Sequence, residues 1–380
     1  MKSLLRHARS LHSLAPANKD HVSAWRVAIS VAVPSLVLLA AGRPELIGYA
    51  VFGALTGMYG RTEPHQLRLR HQGQAAVLLL AGVGIGVFLS VQHIHSWALV
   101  VTEAAFAGAG SLFTDRTALK PAGPFFGILA LGACASVPAA VPWHAAVLIA
   151  AASAAFSIMV GFGGWFLGRD GQRGWRRGWR RDTTALRGAR RRAAGVHAAR
   201  YMTAVGAAGT VGVLSGSGHP HWAMAAAAVP LAGADLPSSV YRGIHRIVGT
   251  LLGLVVVAAV LFPWPGSPLL AFPGQEAAVL ACLVIVLQFS TELFMTRHYG
   301  LAMVSFTPVI LLIGQLAAPA DPRVLVTERA VETLLGAAVG ILVVVLIRRR
   351  VSRPNQIRPD QIRPNQSRPN QIRHGGADGR

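Results

Sequence analysis

The residues of this chain that could do chemistry are few. A short basic run, Arg242, His245 and Arg246, leads through Gly249-Thr250 into an apolar stretch. If a helix starts there, its positive end and the neighbouring cations attract an anion together. Topology offers a simpler reading, because arginines at a helix start hold that connection in the cytoplasm. Glu103 sits in the middle of another apolar run. In lipid such a carboxyl faces the bundle interior, and it marks either a proton or substrate path or a hydrogen bond to a neighbouring helix. Asp115 and Glu292 each follow a threonine, and an acid in both halves suggests a packing or gating contact with Arg246 or Arg70. Glu332 reads as structural, and His219 and His221 as interfacial polar residues at a helix start. There is no nucleophile elbow, no phosphate-cradling glycine loop and no cluster at metal-ligand spacing. The chain is therefore expected to be no enzyme, with no catalytic residues, no metal and no cofactor.

These residues must be positioned by apolar elements. The 380 residues are 53% hydrophobic and 13% charged, with a mean hydropathy of +0.47. A soluble domain carries about 25% charged residues, so the composition is that of an integral membrane protein. The net charge of +21 fits either nucleic acid or basic inner loops. The cations lie in short segments between apolar runs, which excludes a nucleic-acid partner. Cys134 and Cys282 fall inside apolar runs and offer no disulfide framework.

A spanning helix needs about 20 apolar residues. Twelve stretches are candidates: 22–40, 44–59, 74–91, 97–113, 122–137, 143–167, 196–214, 219–234, 244–262, 276–292, 299–316 and 328–347. Alternate connections are basic, with Arg61, Arg68, Arg70, Arg116, Lys120, Arg242, Arg246 and Arg297 on one side, so both termini are expected in the cytoplasm. The chain also looks written twice. Arg70 and Gly73 precede Arg246 and Gly249 by 176 positions, and Thr114-Asp115 precedes Thr291-Glu292 by 177. Six helices per unit is an even number, so the fold expected is all-α, two tandem parallel six-helix units at 22–167 and 196–347.

Three segments flank these units. Residues 1–21 form a cytoplasmic lead without the apolar core of a signal peptide. Residues 168–195 form a linker rich in Arg and Trp, suited to anionic lipid headgroups. Residues 348–380 repeat Arg-Pro-Asn-Gln-Ile and have too little apolar content to fold.

The run Tyr-Arg-Gly-Ile-His-Arg-Ile-Val-Gly-Thr-Leu-Leu-Gly at 241–253 resembles the Arg-x-x-Gly-Thr-x-x-Gly segment of the fusaric acid resistance-like proteins. These belong to the aromatic acid exporter superfamily, whose plant relatives are anion channels. Gly-Ala-Leu-Thr-Gly-Met-Tyr-Gly-Arg at 53–61 is similar to the end of the second helix in bacterial members. The resemblance implies that the family's Arg and Gly-Thr positions fall on Arg246, Gly249 and Thr250. The first unit departs from the pattern, with Gly73-Gln74 in place of Gly-Thr.

Residues and resemblance together lead to an expected exporter of small organic anions, aromatic or other weak acids, in the cell membrane. Proton coupling is implied by the resemblance, with Glu103 as the carrier. A passive anion channel and a non-transporting membrane scaffold are the alternatives. Besides the anion, the expected partners are anionic lipid headgroups, and the fold is compatible with a homo-oligomer.

Overall fold

The computed structural model describes residues 20–61, 63–93, 96–166 and 188–347. Most of the expected lead and linker, and all of the Arg-Pro-Asn-Gln-Ile tail, lie outside these residues. Among the described residues the regular structure is helical. Helix α1 spans Asp20–Ala40, and a short α2, Ile47–Ala54, follows between the 3-10 turns Pro44–Leu46 and Leu55–Met58. Helices α3 (His65–Val91), α4 (Ser96–Thr117), α5 (Phe125–Ser136) and α6 (Trp143–Phe166) complete the first half. Helix α7 (Gly188–Leu214) opens the second half. It is followed by a short α8 (His221–Ala228) and the 3-10 turn Pro230–Ala232. Helices α9 (Leu236–Leu261), α10 (Glu276–Phe294), α11 (Tyr299–Ala317) and α12 (Pro322–Leu346) end it.

Each of the twelve expected stretches is helical over at least part of its length, but among the described residues eight helices are long and apolar enough to cross a membrane: α1, α3, α4, α6, α9, α10, α11 and α12. At 1.5 Å per residue the eight residues of α2 or α8 rise only about 12 Å, against about 30 Å of hydrocarbon. All eight residues of α8 are buried, as are all residues of α2 except Gly48. A helix apolar all round belongs in the middle of the protein. Its irregular ends are tolerated at membrane depth because other helices enclose them.

The packing is reciprocal between the halves. Helix α4 lies along α7 of the second half, and α10 lies along α1 of the first. Within each half α3 packs on α5 and α2 on α6, as α9 packs on α11 and α8 on α12. The centre is formed by α5 against α8 and α11 against α2. Glycines set the closest approaches, as small residues do in lipid. A Cβ on Gly249 would lie 2.6 Å from the carbonyl oxygen of Gly300, and one on Gly82 2.5 Å from that of Gly127.

The expected equivalence of Arg70 with Arg246 and Gly73 with Gly249 fails. Arg70 is exposed, and a Cβ on Gly73 would meet nothing within 4 Å, whereas Arg246 and Gly249 are buried. The buried faces of α3 and α9 coincide at a spacing of 171 instead. Gln72, Ala75, Leu78, Leu79 and Gly82 are buried on α3, as Gly243, Arg246, Gly249, Thr250 and Gly253 are on α9. The similarity of the basic runs is thus one of composition at a helix start, not of facing.

Candidate substrate path

Helix α9 does not begin at its basic run. Asp235 caps it, accepting from the Ser238 backbone N–H at 2.9 Å, while the Ser238 hydroxyl accepts from the Asp235 N–H at 3.1 Å. This capping box, with Pro237 in the first turn, places Arg246 ten residues inside the helix, about 15 Å from its amino end. Helix-dipole assistance to Arg246, expected from the sequence, is therefore absent, since the dipole acts within the first turn. The signal was in the sequence, an Asp three residues before a Ser with Pro between.

The consequence is that the basic run becomes a face of the helix. Arg242 is half-buried and lies 5.7 Å above the Tyr299 ring. His245 stacks on Tyr241 with ring centroids 4.0 Å apart, and its Nδ1 accepts from the Gly300 N–H at 3.1 Å. Arg246, one turn deeper than Arg242, is fully buried, with its guanidinium 5.2 Å from the Phe125 ring centroid. Its Nη1 donates to Met303 Sδ at 3.0 Å, while Nε and Nη2 have no acceptor. Thr250, also buried, accepts from the Thr307 hydroxyl at 3.4 Å.

A cavity of about 590 Å³ opens beside this face. Its cations are Arg61, Lys120 and Arg297 from three connections and Arg242 from the second turn of α9, all expected on one side of the membrane, and Glu63 is its acid. Phe125, Phe126, Tyr241 and Tyr299 supply flat apolar surface, and Met303 and Phe125 separate the cavity from Arg246.

A second cavity, of about 210 Å³, lies at the opposite ends of α5 and α11 and is lined by His219, His221, Trp222 and Glu45 among apolar residues. The Arg43 guanidinium, bonded to Glu45 at 2.5 Å, holds that carboxyl below the usual carboxylate range. Between the two cavities run residues 126–133 of α5 and 303–310 of α11, about 10 Å of helix in each case. Phe126 and Phe306 meet edge to face at 5.7 Å there, and Leu129 and Val309 are fully buried. Packed side chains thus close the passage.

The remaining residues expected at a site lie elsewhere. Glu292 meets neither Arg246 nor Arg70. It accepts from Ser23 of α1 at 3.1 Å and pairs with Arg61 at 3.3 Å. Asp115 pairs with His197 of α7 at 2.7 Å. Each acid therefore fixes its helix to the first helix of the other half. Glu103 is fully buried, and among the described residues neither carboxyl oxygen has a donor. His221, read from sequence as interfacial, is 2% exposed and bonds Ser136 at 2.7 Å. His219 pairs with Glu328 and stacks on Trp222, and Arg329 lies buried 5.1 Å from the same ring. No group of three metal-ligating side chains occurs among the described residues.

Residues 206–343 match the family model for fusaric acid resistance protein-like sequences, the family suggested by 241–253. The chain is also 27% identical over 158 residues to the uncharacterized membrane protein YvaC of Bacillus subtilis (strain 168), a match covering 41% of this chain. It spans about a quarter, 24%, of the relative's length. No solved structure matches the chain.

Proposed function

With a fusaric acid resistance-like second half as the premise, we propose that this membrane protein exports small organic acids, aromatic or other weak acids, across the cell membrane. The observation that carries the reading is the basic, aromatic-lined cavity with Arg246 buried behind it. Its volume lies within the range of small-molecule sites, about 300–1,000 Å³. A carboxylate with a flat apolar body finds cations for one end and rings for the other. The two unmet guanidinium nitrogens of Arg246, Nε and Nη2, suit a carboxylate oxygen pair. The cavity faces the cytoplasm in this reading, because the basic connections gather there and arginine and lysine accumulate inside. Both termini are then cytoplasmic.

The reciprocal packing of α4 on α7 and α10 on α1 supports two tandem six-helix units around a pseudo-two-fold axis, with α2, α5, α8 and α11 at the centre. A basic cavity between the halves argues against a mere scaffold. About 10 Å of packed side chains between the cavities favours a carrier that opens to each side in turn over a passive channel. The test is efflux from vesicles containing the full chain and anionic lipid, loaded with benzoate or salicylate. Efflux accelerated by a pH gradient supports a proton-coupled exporter, and efflux indifferent to the gradient supports the channel. No flux of either acid through folded protein overturns transport of this substrate class.

A further inference from the structure

Glu103 is a buried group that the anion path leaves unused. It enters from α4 toward α5, where Gly132 leaves a gap. A Cβ built on Gly132 would lie 3.1 and 3.2 Å from the two Glu103 oxygens and 2.6 Å from His221 Cβ. The carboxyl is therefore within about 6 Å of His221 Cβ, across a space that only glycine leaves free. The imidazole is oriented, because Nδ1 bonds Ser136, whose hydroxyl donates to the Gly132 carbonyl at 2.8 Å. His221 itself lines the smaller cavity. We propose that Glu103 and His221 form a proton-loading site that opens to the cavity lined by His219, His221 and Trp222.

A buried acid with no donor on either oxygen is not explained as an interhelical hydrogen bond. Nor is it a packing requirement of the fold. The buried face of α12 carries Arg329 and Glu332 where that of α6 carries Ala150 and Ser153. Leu280 of α10 lies as many positions before Glu292 as Glu103 lies before Asp115, and is buried too. The first set of positions packs with apolar or small residues, so the titratable set is an addition at one end of the molecule.

Polar and charged groups beside the pair come from two helices packed near it. Helix α5 contributes Ser136, and α12 contributes Arg329 and Glu332, the latter accepting from the Ala223 N–H at 3.2 Å. Across the cavity stand His219 with Glu328, and Glu45 with Arg43. On loading, a proton from cavity water binds His221, and one from the imidazolium passes to the Glu103 carboxylate. An N–H bond breaks and an O–H bond forms, leaving neutral imidazole and neutral acid. Coupling this proton to an exported anion rests on the exporter reading, whereas the loading site does not.

The test is time-resolved infrared spectroscopy of the full chain in vesicles after a jump in external pH, following the carboxylic-acid C=O band. Glu103→Gln should remove a band component, and an unchanged band overturns the proposal. His221→Gln should keep that component but slow its response by about a hundredfold, the lower end of what a positioned proton-transfer group contributes. An unaltered rate overturns the relay. Gly132→Ala leaves both titratable groups in place, puts a methyl between them and should slow the response likewise. It decides the matter if Glu103→Gln does not fold. Since no organic acid is present, failure of efflux with these results intact sinks only the exporter reading.

Discussion

Replacing Arg246 by methionine should change folding stability and anion affinity in opposite directions. A structural arginine is paired, and removing it costs stability. Arg246 is fully buried, and among the described residues no carboxylate pairs with it and its Nε and Nη2 have no hydrogen-bond acceptor. Keeping such a charge out of water costs several kcal/mol, only partly offset by the Phe125 ring, the Met303 sulfur and the nearby Tyr299 hydroxyl. Methionine fills similar space without that cost. Arg246→Met should therefore melt at or above the wild-type temperature in detergent, with a gain of up to about 4 kcal/mol. If the free N–H groups receive a carboxylate, the variant forfeits a charged hydrogen bond worth about 1.5–3 kcal/mol, or about ten- to a hundredfold in half-saturation for benzoate efflux. Arg246→Lys should lie between, keeping the charge and losing the planar fork. A variant that melts lower and transports with unchanged half-saturation refutes the reasoning, because Arg246 would then be a structural group.

Two glycines test the facing of the basic runs. Gly249→Ala should destabilise by about 1–3 kcal/mol because the new methyl meets the Gly300 backbone. Gly73→Ala, in open space within a helix, should gain about 0.5–1 kcal/mol, and equal losses in thermal melts would contradict the alignment at 171. Glu292→Ala leaves Arg61, 11% exposed, without its acid and should cost about 3–5 kcal/mol. Asp115→Ala leaves only a histidine that can be neutral and should cost about 1 kcal/mol. Equal melting temperatures for these two variants would show that the pairs do not hold the halves.

The helices were legible wherever an apolar run met a polar or glycine-containing boundary, and the buried position of Glu103 followed from its surroundings in sequence. What hydropathy could not separate was a span from a buried half-length helix. Residues 219–234 are as apolar as a membrane segment, yet only His221–Ala228 form the α-helix, enclosed by protein on every side. The start of α9 was misplaced because its first turns are polar, and apolarity was used as the mark of a helix where the Asp235–Ser238 cap was the better one. The histidine cluster was missed for a related reason. Whether His221 faces water or Glu103 depends on α4, α5 and α8 meeting, and no spacing within one helix reports that.

The pairing of α1 with α10 also sets a schedule for biosynthesis. Ser23 bonds Glu292 across 269 positions of sequence. At about 5–20 residues per second, roughly 10–50 s pass between the synthesis of the two. During that interval Ser23 and Arg61 lack their acid, while α4 waits a shorter time for His197 to reach Asp115. Neither half can close by itself, so a ribosome stalled before α10 leaves in the bilayer a polar seam that quality-control proteases can recognise, and the last helices laid down determine whether the first ones survive.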